Sequence, residues 1–146
     1  MDNSTKEFEN RIEHANSIDE LRAILDELPK KSFKIRFLEL TEQYHMTLSQ
    51  IQIASGIAKA SFYAFFTPDK AQKRNPQKYH IVRIGLAMGA SVEEINELLK
   101  LAGHKELYAK NREDAIVIFS IRKHLKITEL YELLDAEGIQ TKLMDK

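Results

Sequence analysis

The sequence predicts an all-α protein, and three observations carry that expectation. Apolar residues recur at helical spacing, as in "SIDELRAILDEL" and "SVEEINELLKLAG". Both of those segments open on a serine followed three residues later by glutamate, the pair that forms a capping box. No stretch alternates apolar and polar residues for long enough to make a strand. A chain of 146 residues with 43% hydrophobic content is sized for one domain, or one domain with an appendage, around a real core. Only five glycines and three prolines leave little room for disordered linkers. The absence of cysteine excludes disulfides, thiolate metal sites and cysteine nucleophiles. The polar stretch "MDNSTKEFENRIEH" does not read as a signal peptide, and no apolar run approaches the ~20 residues of a membrane span, so a cytoplasmic protein is expected.

The elements follow in order. Residues 17–28 begin with Ser17 and Glu20 at capping spacing, put Ile18, Leu21, Ile24, Leu25 and Leu28 on one stripe, and stop at Pro29. A second helix is expected from Ser32 to Tyr44, with Phe33, Phe37, Leu38 and Leu40 as its apolar positions. Lys30, Lys31, Lys34 and Arg36 crowd its start, where cations oppose the helix dipole; contact with an anion would explain them, and so would chance. Thr47 is placed to cap a short helix through "LSQIQIAS", with Leu48, Ile51 and Ala54 facing inward. Gly56 then allows a tight turn at positive φ, Ile57 plugs it, and a further short helix runs from Lys59 to Phe66. Phe62 and Phe65, three apart, are expected to grip the preceding helix. Beyond Pro76 come "QKYHIVRIGLAMGA" and then "SVEEINELLKLAG", the latter with Ser91 and Glu94 as a capping box, an apolar stripe of Val92, Ile95, Leu98, Leu99 and Ala102, and Gly103 as its stop.

Charge is distributed unevenly although the net charge is zero. Between residues 59 and 83 six basic residues (Lys59, Lys70, Lys73, Arg74, Lys78 and Arg83) face a single acid, Asp69, while the flanking segments are mildly acidic. A phosphate backbone would be drawn to such a segment, although a solvated lysine-rich loop has the same composition.

A helix, a glycine turn and a second helix make the form in which the second helix enters the major groove of DNA. From Phe33 to Gly103 the chain resembles the lambda-repressor-like, or Xre-type, helix-turn-helix regulators. The resemblance is carried by "MTLSQIQIASGIAKASFYAFF", the basic loop ending in "KRNP", and "IVRIGLAMGASVEEINELL". It implies a five-helix bundle that binds operator DNA, usually as a homodimer, and regulates transcription, here read as a repressor. By position it places Thr47 and Ser49 on phosphate, with Leu48 between them, and Lys59, Ala60, Ser61, Tyr63 and Ala64 on the base-reading face of helix 59–66. Lys59 would donate to guanine acceptors, Ala60 and Ala64 would meet thymine methyls, and Ser61 and Tyr63 are also in reach of phosphate. Lys70, Lys73, Arg74 and Lys78 would supply further phosphate contacts and salt-dependent attraction. The chain departs from the family in having Gln52 where alanine is common, Ala58 where Ser or Thr caps the reading helix, and a longer loop, "TPDKAQKRNP".

The C-terminal third repeats the helix pair before it. At an offset of 35, the segment from Ile81 to Gly103 aligns with that from Ile116 to Gly138, matching Ile81/Ile116, Val82/Val117, Glu94/Glu129, Leu98/Leu133, Leu99/Leu134 and Gly103/Gly138 among others. The repeat, with "LYAKNREDAIVIF" as its joint, resembles a Gram-positive group of these regulators. Stacking of the second pair on the first would extend the bundle and expose a face for dimerisation or a protein partner, or it would merely enlarge the core. The organisation expected is an N-terminal helical extension over 1–30, a helix-turn-helix domain over 31–104 and a helical repeat packed on it over 105–146.

Catalysis finds no footing in the sequence. His14, His45, His80, His104 and His124 are scattered without metal-ligand spacing, the glycines form no phosphate loop, and Glu93/Glu94 and Glu113/Asp114 sit where helix starts favour negative charge. No cofactor and no metal are expected. The function expected is sequence-specific binding of double-stranded DNA. The alternative is an adaptor that keeps the fold for protein contacts, for which an exposed Phe66 would speak.

Overall fold

The computed structural model describes residues 3–27, 32–66 and 76–144, and every regular element among them is a helix. By its contacts the chain divides into two units, Met1–Lys31 and Ser32–Lys146.

The first unit holds α1 (Asn3–Glu13) and α2 (Ile18–Glu27), which pack against each other. No separate element was expected at α1, which has only two large apolar residues, Phe8 and Ile12, four positions apart. Its Arg11 pairs with Glu27 of α2 and lies over the Phe8 ring. In α2 the Ser17 hydroxyl accepts from the Glu20 amide at 3.1 Å, as expected, but the Glu20 carboxylate accepts from Asn16 rather than Ser17. Of the predicted stripe only Ile24 is buried; Ile18, Leu21 and Leu25 are exposed, and Leu28 lies outside the described residues.

The second unit runs α3 (Phe33–Gln43), α4 (Leu48–Ser55), α5 (Lys59–Ala64), α6 (Lys78–Met88), α7 (Val92–Leu101), α8 (Arg112–Arg122) and α9 (Ile127–Ala136). Its centre is α6, which touches α4, α7, α8 and α9 and buries Ile81, Val82, Ile84 and Met88. Phe37, Leu40, Ile51, Phe62, Ile95, Leu98, Leu99, Leu130, Leu134 and Leu143 are also fully enclosed. The helix starts follow the sequence closely. Ser32, Thr47, Ser91 and Asn111 accept backbone N–H groups as caps, and the expected box at Ser91 and Glu94 is closed in both directions. One inward assignment is corrected, and one apolar position of α3 lies outside the core. Leu38 is exposed, and Ala54 lies outward while Ser55, one residue on, is buried four residues after Ile51 on the same face.

The predicted repeat is visible in the backbone. Helix α9 spans residues 127–136, which is α7 displaced by 35, and Gly103 and Gly138 end the two helices at φ 88° and 69°. The turn inside each hairpin also coincides, since Gly89 (φ 74°) aligns with His124 (φ 53°). In both, the amide one residue later reaches back to close the helix end, Ala90 to Gly85 and Leu125 to Ser120, each at 3.0 Å. A left-handed non-glycine residue costs about 1–2 kcal/mol. We therefore expect His124→Gly to raise stability and Gly89→Ala to lower it, each by about 1 kcal/mol, in thermal or urea unfolding. Equal and same-signed shifts in the two variants would contradict this account.

Candidate nucleic-acid interface

The candidate surface is made by α4, the turn after it and α5. Thr47 caps α4 with an extended backbone, accepting from the Gln50 amide at 3.1 Å, while the Gln50 side chain accepts from the Thr47 amide at 2.9 Å. The cap uses a hydroxyl lone pair and leaves the hydroxyl proton to donate. Thr47 and Ser49 are both exposed, two positions apart at the start of the helix, and Leu48 between them is partly buried. Gly56 ends α4 at φ 67°, and the Ile57 side chain is buried beneath the turn.

Three side chains brace this turn, and sequence reasoning assigned none of them to it. Gln52 donates its amide to the Ile57 carbonyl at 2.7 Å. Ser55 donates its hydroxyl to the Gln52 carbonyl at 2.9 Å and accepts from the Ile57 amide at 3.2 Å. Arg83 of α6, buried at 4% exposure, donates Nε to the Ser55 carbonyl at 2.9 Å. Gln52, a departure from the resembling family, is thus explained by the Ile57 carbonyl it satisfies. The one sequence signal for Arg83 lies in the repeat, whose aligned residue is Ile118.

Helix α5 is shorter than expected, ending at Ala64 with Phe65 and Phe66 in the turn that follows. Ala58 supplies no side-chain cap, in keeping with its residue type. Phe62 and Phe65 are buried as the spacing implied. The Phe62 ring meets Phe37 of α3 edge-on at 6.3 Å. Phe66 is half-buried, stacked on Phe37 at 5.0 Å and on Phe33 at 6.2 Å, so it belongs to the aromatic joint between α3 and α5 and not to an exposed patch. Outward lie Lys59 and Ala60, exposed, and Ser61, Tyr63 and Ala64, partly so. All five of these residues are thus at least partly accessible, with the Tyr63 ring packed against the core and set edge-on to Phe62 at 5.2 Å.

The basic segment is less uniform than its composition. Lys70, Lys73 and Arg74 lie outside the described residues, as do Lys30 and Lys31. Lys78 Nζ lies 2.6 Å from the buried Asp114 carboxylate, which also accepts the Tyr108 amide at 2.9 Å, so Lys78 has an internal counter-charge. Arg83 is interior. The cations near the start of α3 have internal partners too: Arg36 pairs with Glu97 at 2.5 Å, and Lys34 reaches the Phe66 carbonyl at 3.4 Å.

A polar seam joins the end of α3 to α7. Glu94 accepts from Tyr44 and, at 3.1 Å, from Gln43. Burial pushes the Tyr44 hydroxyl up to about 12, helped by Glu94. Burial also pushes Glu94 upward, but its bonds from Ser91, Tyr44 and Gln43 outweigh this and hold it below the usual carboxylate range. His80 sits 5.1 Å from the Phe65 ring and accepts the Gln77 amide on Nδ1 at 3.2 Å. Burial, and then the Arg83 charge, lower its pKa from the ordinary 6.5. The unfolded chain therefore binds more protons than the folded one as pH falls through about 6.5, and stability is lost on acidification there. His80→Gln keeps an acceptor for Gln77 without titrating. Its unfolding free energy should fall less steeply between pH 7 and 5 than that of the wild type, and parallel slopes would remove His80 from the account.

An open groove of about 380 Å³ on the second hairpin is lined by Arg112, Ala115, Ile116, Phe119, Leu133 and Glu137. Ile116, Phe119 and Leu133 align with Ile81, Ile84 and Leu98, which are wholly buried in the first hairpin. Among the described residues no group of His, Cys, Asp or Glu is arranged to hold a metal ion, and no helix is long and apolar enough to cross a membrane. No family model matches the chain, and no curated protein or solved structure is significantly similar to it.

Proposed function

We propose that this protein is a sequence-specific DNA-binding transcriptional regulator of the lambda-repressor-like, helix-turn-helix kind, acting by binding rather than catalysis, in the cytoplasm. The observation that carries the reading is the braced turn at Gly56 joining α4 to α5, with the phenylalanines of α5 turned inward and Lys59, Ala60, Ser61, Tyr63 and Ala64 left accessible. In this reading α5 enters the major groove, Lys59 donates to a guanine edge and the two alanines meet thymine methyls. Thr47 and Ser49 hold phosphate, and the basic segment with Lys70, Lys73 and Arg74 adds salt-dependent attraction. Lys78 contributes less than its charge implies, because Asp114 compensates it. The five-residue face has few hydrogen-bonding groups, so direct readout is modest and DNA shape carries part of the preference.

The acting species is proposed to be a homodimer, and the apolar groove of α8 and α9 supports an intermolecular contact on that face. The same groove is what favours the second reading, a protein-interaction adaptor built on this fold. Phe66 speaks against the form of that reading in which α5 itself docks on a protein, since its ring is already taken up by α3.

Selection from a random duplex pool should enrich a preferred sequence bound in the nanomolar range at moderate salt, with affinity falling steeply as salt rises. Lys59→Ala should reduce discrimination at one position by about 1–3 kcal/mol and affect non-specific binding less. Failure to enrich any sequence, together with salt-insensitive capture of a protein, would replace this reading by the adaptor.

A further inference from the structure

Arg83 joins two segments that are far apart in the chain. Its Nε donates to the carbonyl of Ser55, the last residue of α4, and its Nη1 donates at 3.1 Å to the carbonyl of Leu143 in the segment after α9. The Leu143 side chain is fully buried, and its amide donates to the Thr141 hydroxyl at 3.0 Å, which in turn donates to Glu113 at 2.7 Å. The guanidinium also lies against the turn itself, since a Cβ added at Gly56 would sit 3.0 Å from Nη2. An interior arginine is a costly choice in a helix hairpin, and the repeat shows that the hairpin does not require it. The aligned residue of the second copy is Ile118, which packs on the same core. What Arg83 meets from the first copy is the turn leading into α5.

We propose that Arg83 is a positioning residue for the α4–α5 turn, and that segment 139–144, anchored by Thr141 and Leu143, is the second support through which it sets the direction of α5. The inference rests on the DNA-binding reading for its functional consequence, but not for its geometry. A carbonyl at the end of α4 carries the negative end of the helix dipole, so a fixed cation there stabilises the helix end as well as its orientation. Loosening segment 139–144 frees the guanidinium to rotate away from Ser55, and α5 is then held by its aromatic packing on α3 without the brace that fixes the turn leading into it.

The test uses the full chain and two substitutions. Arg83→Ile copies the residue of the second repeat, and Thr141→Val loosens the far support without touching the turn. Backbone hydrogen exchange is read at Gly56, Ile57 and Phe62, with Leu130 and Leu134 of α9 as reference. In both variants the turn amides should exchange at least tenfold faster while those of α9 change less, and preference for the selected duplex over a scrambled one should fall at least tenfold in Arg83→Ile. Unchanged exchange at the turn in both variants would overturn the brace. Faster exchange with duplex preference intact would overturn the positioning role. A wild-type chain with no preferred duplex would overturn the DNA reading and the consequence drawn from it, and the exchange measurement would still decide whether the brace exists. If Arg83→Ile does not fold, Arg83→Lys, which keeps the charge but reaches one carbonyl at a time, takes its place with the same outcomes.

Discussion

In Phe62→Ala the unfolding free energy is expected to fall by about 3–5 kcal/mol, the usual cost of deleting a buried phenylalanine ring. Phe62 is fully enclosed and meets Phe37, Tyr63 and Phe66 at ring separations of 6.3, 5.2 and 5.4 Å. Helix α5 has only six residues and no side-chain cap, so it has little helical stability of its own and depends on this packing. A protein of this size has about 5–15 kcal/mol in total, so the loss is a large fraction of the fold. Urea unfolding measures it, with Ile53→Ala as the control, because Ile53 on α4 is 70% exposed and should shift stability by about 0.5 kcal/mol or less. A Phe62→Ala midpoint close to that of the control would mean that α5 is not held by its aromatic residues. In the DNA-binding reading, specific binding should be lost in this variant even at temperatures where it remains folded.

The second large effect runs against a general rule. Glycine within a helix ordinarily costs about 0.5–1 kcal/mol relative to alanine, so Gly→Ala stabilises most helices. Gly85 lies in the middle of α6, yet a Cβ there would fall 2.4 Å from both Cδ1 and Cγ1 of Ile95, itself fully buried on α7. Interiors are packed too closely to absorb such an overlap without moving the helices, and overpacking costs about 1–3 kcal/mol. Gly85→Ala is therefore expected to destabilise by about 2 kcal/mol, with the sign opposite to that of an exposed helical glycine. Ile95→Ala removes the atoms that clash. In a double-mutant cycle the Gly85→Ala substitution should cost much less in that background, and additive effects would show that the α6–α7 contact is not its cause.

Local chemistry explains which features could be read in advance. Thr47 and Ser91 cap through residues three positions away, and Gly56 takes a left-handed conformation that its lack of a Cβ makes cheap, so both can be inferred from a few neighbouring letters. The inward phenylalanines of α5 follow from helical period alone. Arg83 could not be placed in this way. In the sequence it adds to a run of positive charge, whereas in the fold it is interior and bonded to residues 28 and 60 positions away. Lys78 likewise counted toward a basic patch until Asp114, 36 residues on, supplied its partner. The α2 stripe was read from period as an amphipathic face, but period does not determine what, if anything, covers that face.

The sequence by itself therefore determined the all-helical class, the positions of most helix starts and stops, the glycine turn before α5 and the duplication of the C-terminal hairpin. Each depends on hydrogen bonds and steric limits spanning a few residues, or on the direct likeness of two segments. The tertiary structure alone decided which charges face solvent, why Gly85 must remain small, and that Gln52, Ser55 and Arg83 hold the turn. Those outcomes depend on side chains brought together from distant parts of the chain, where burial makes every unpaired polar group and every overlapping atom costly.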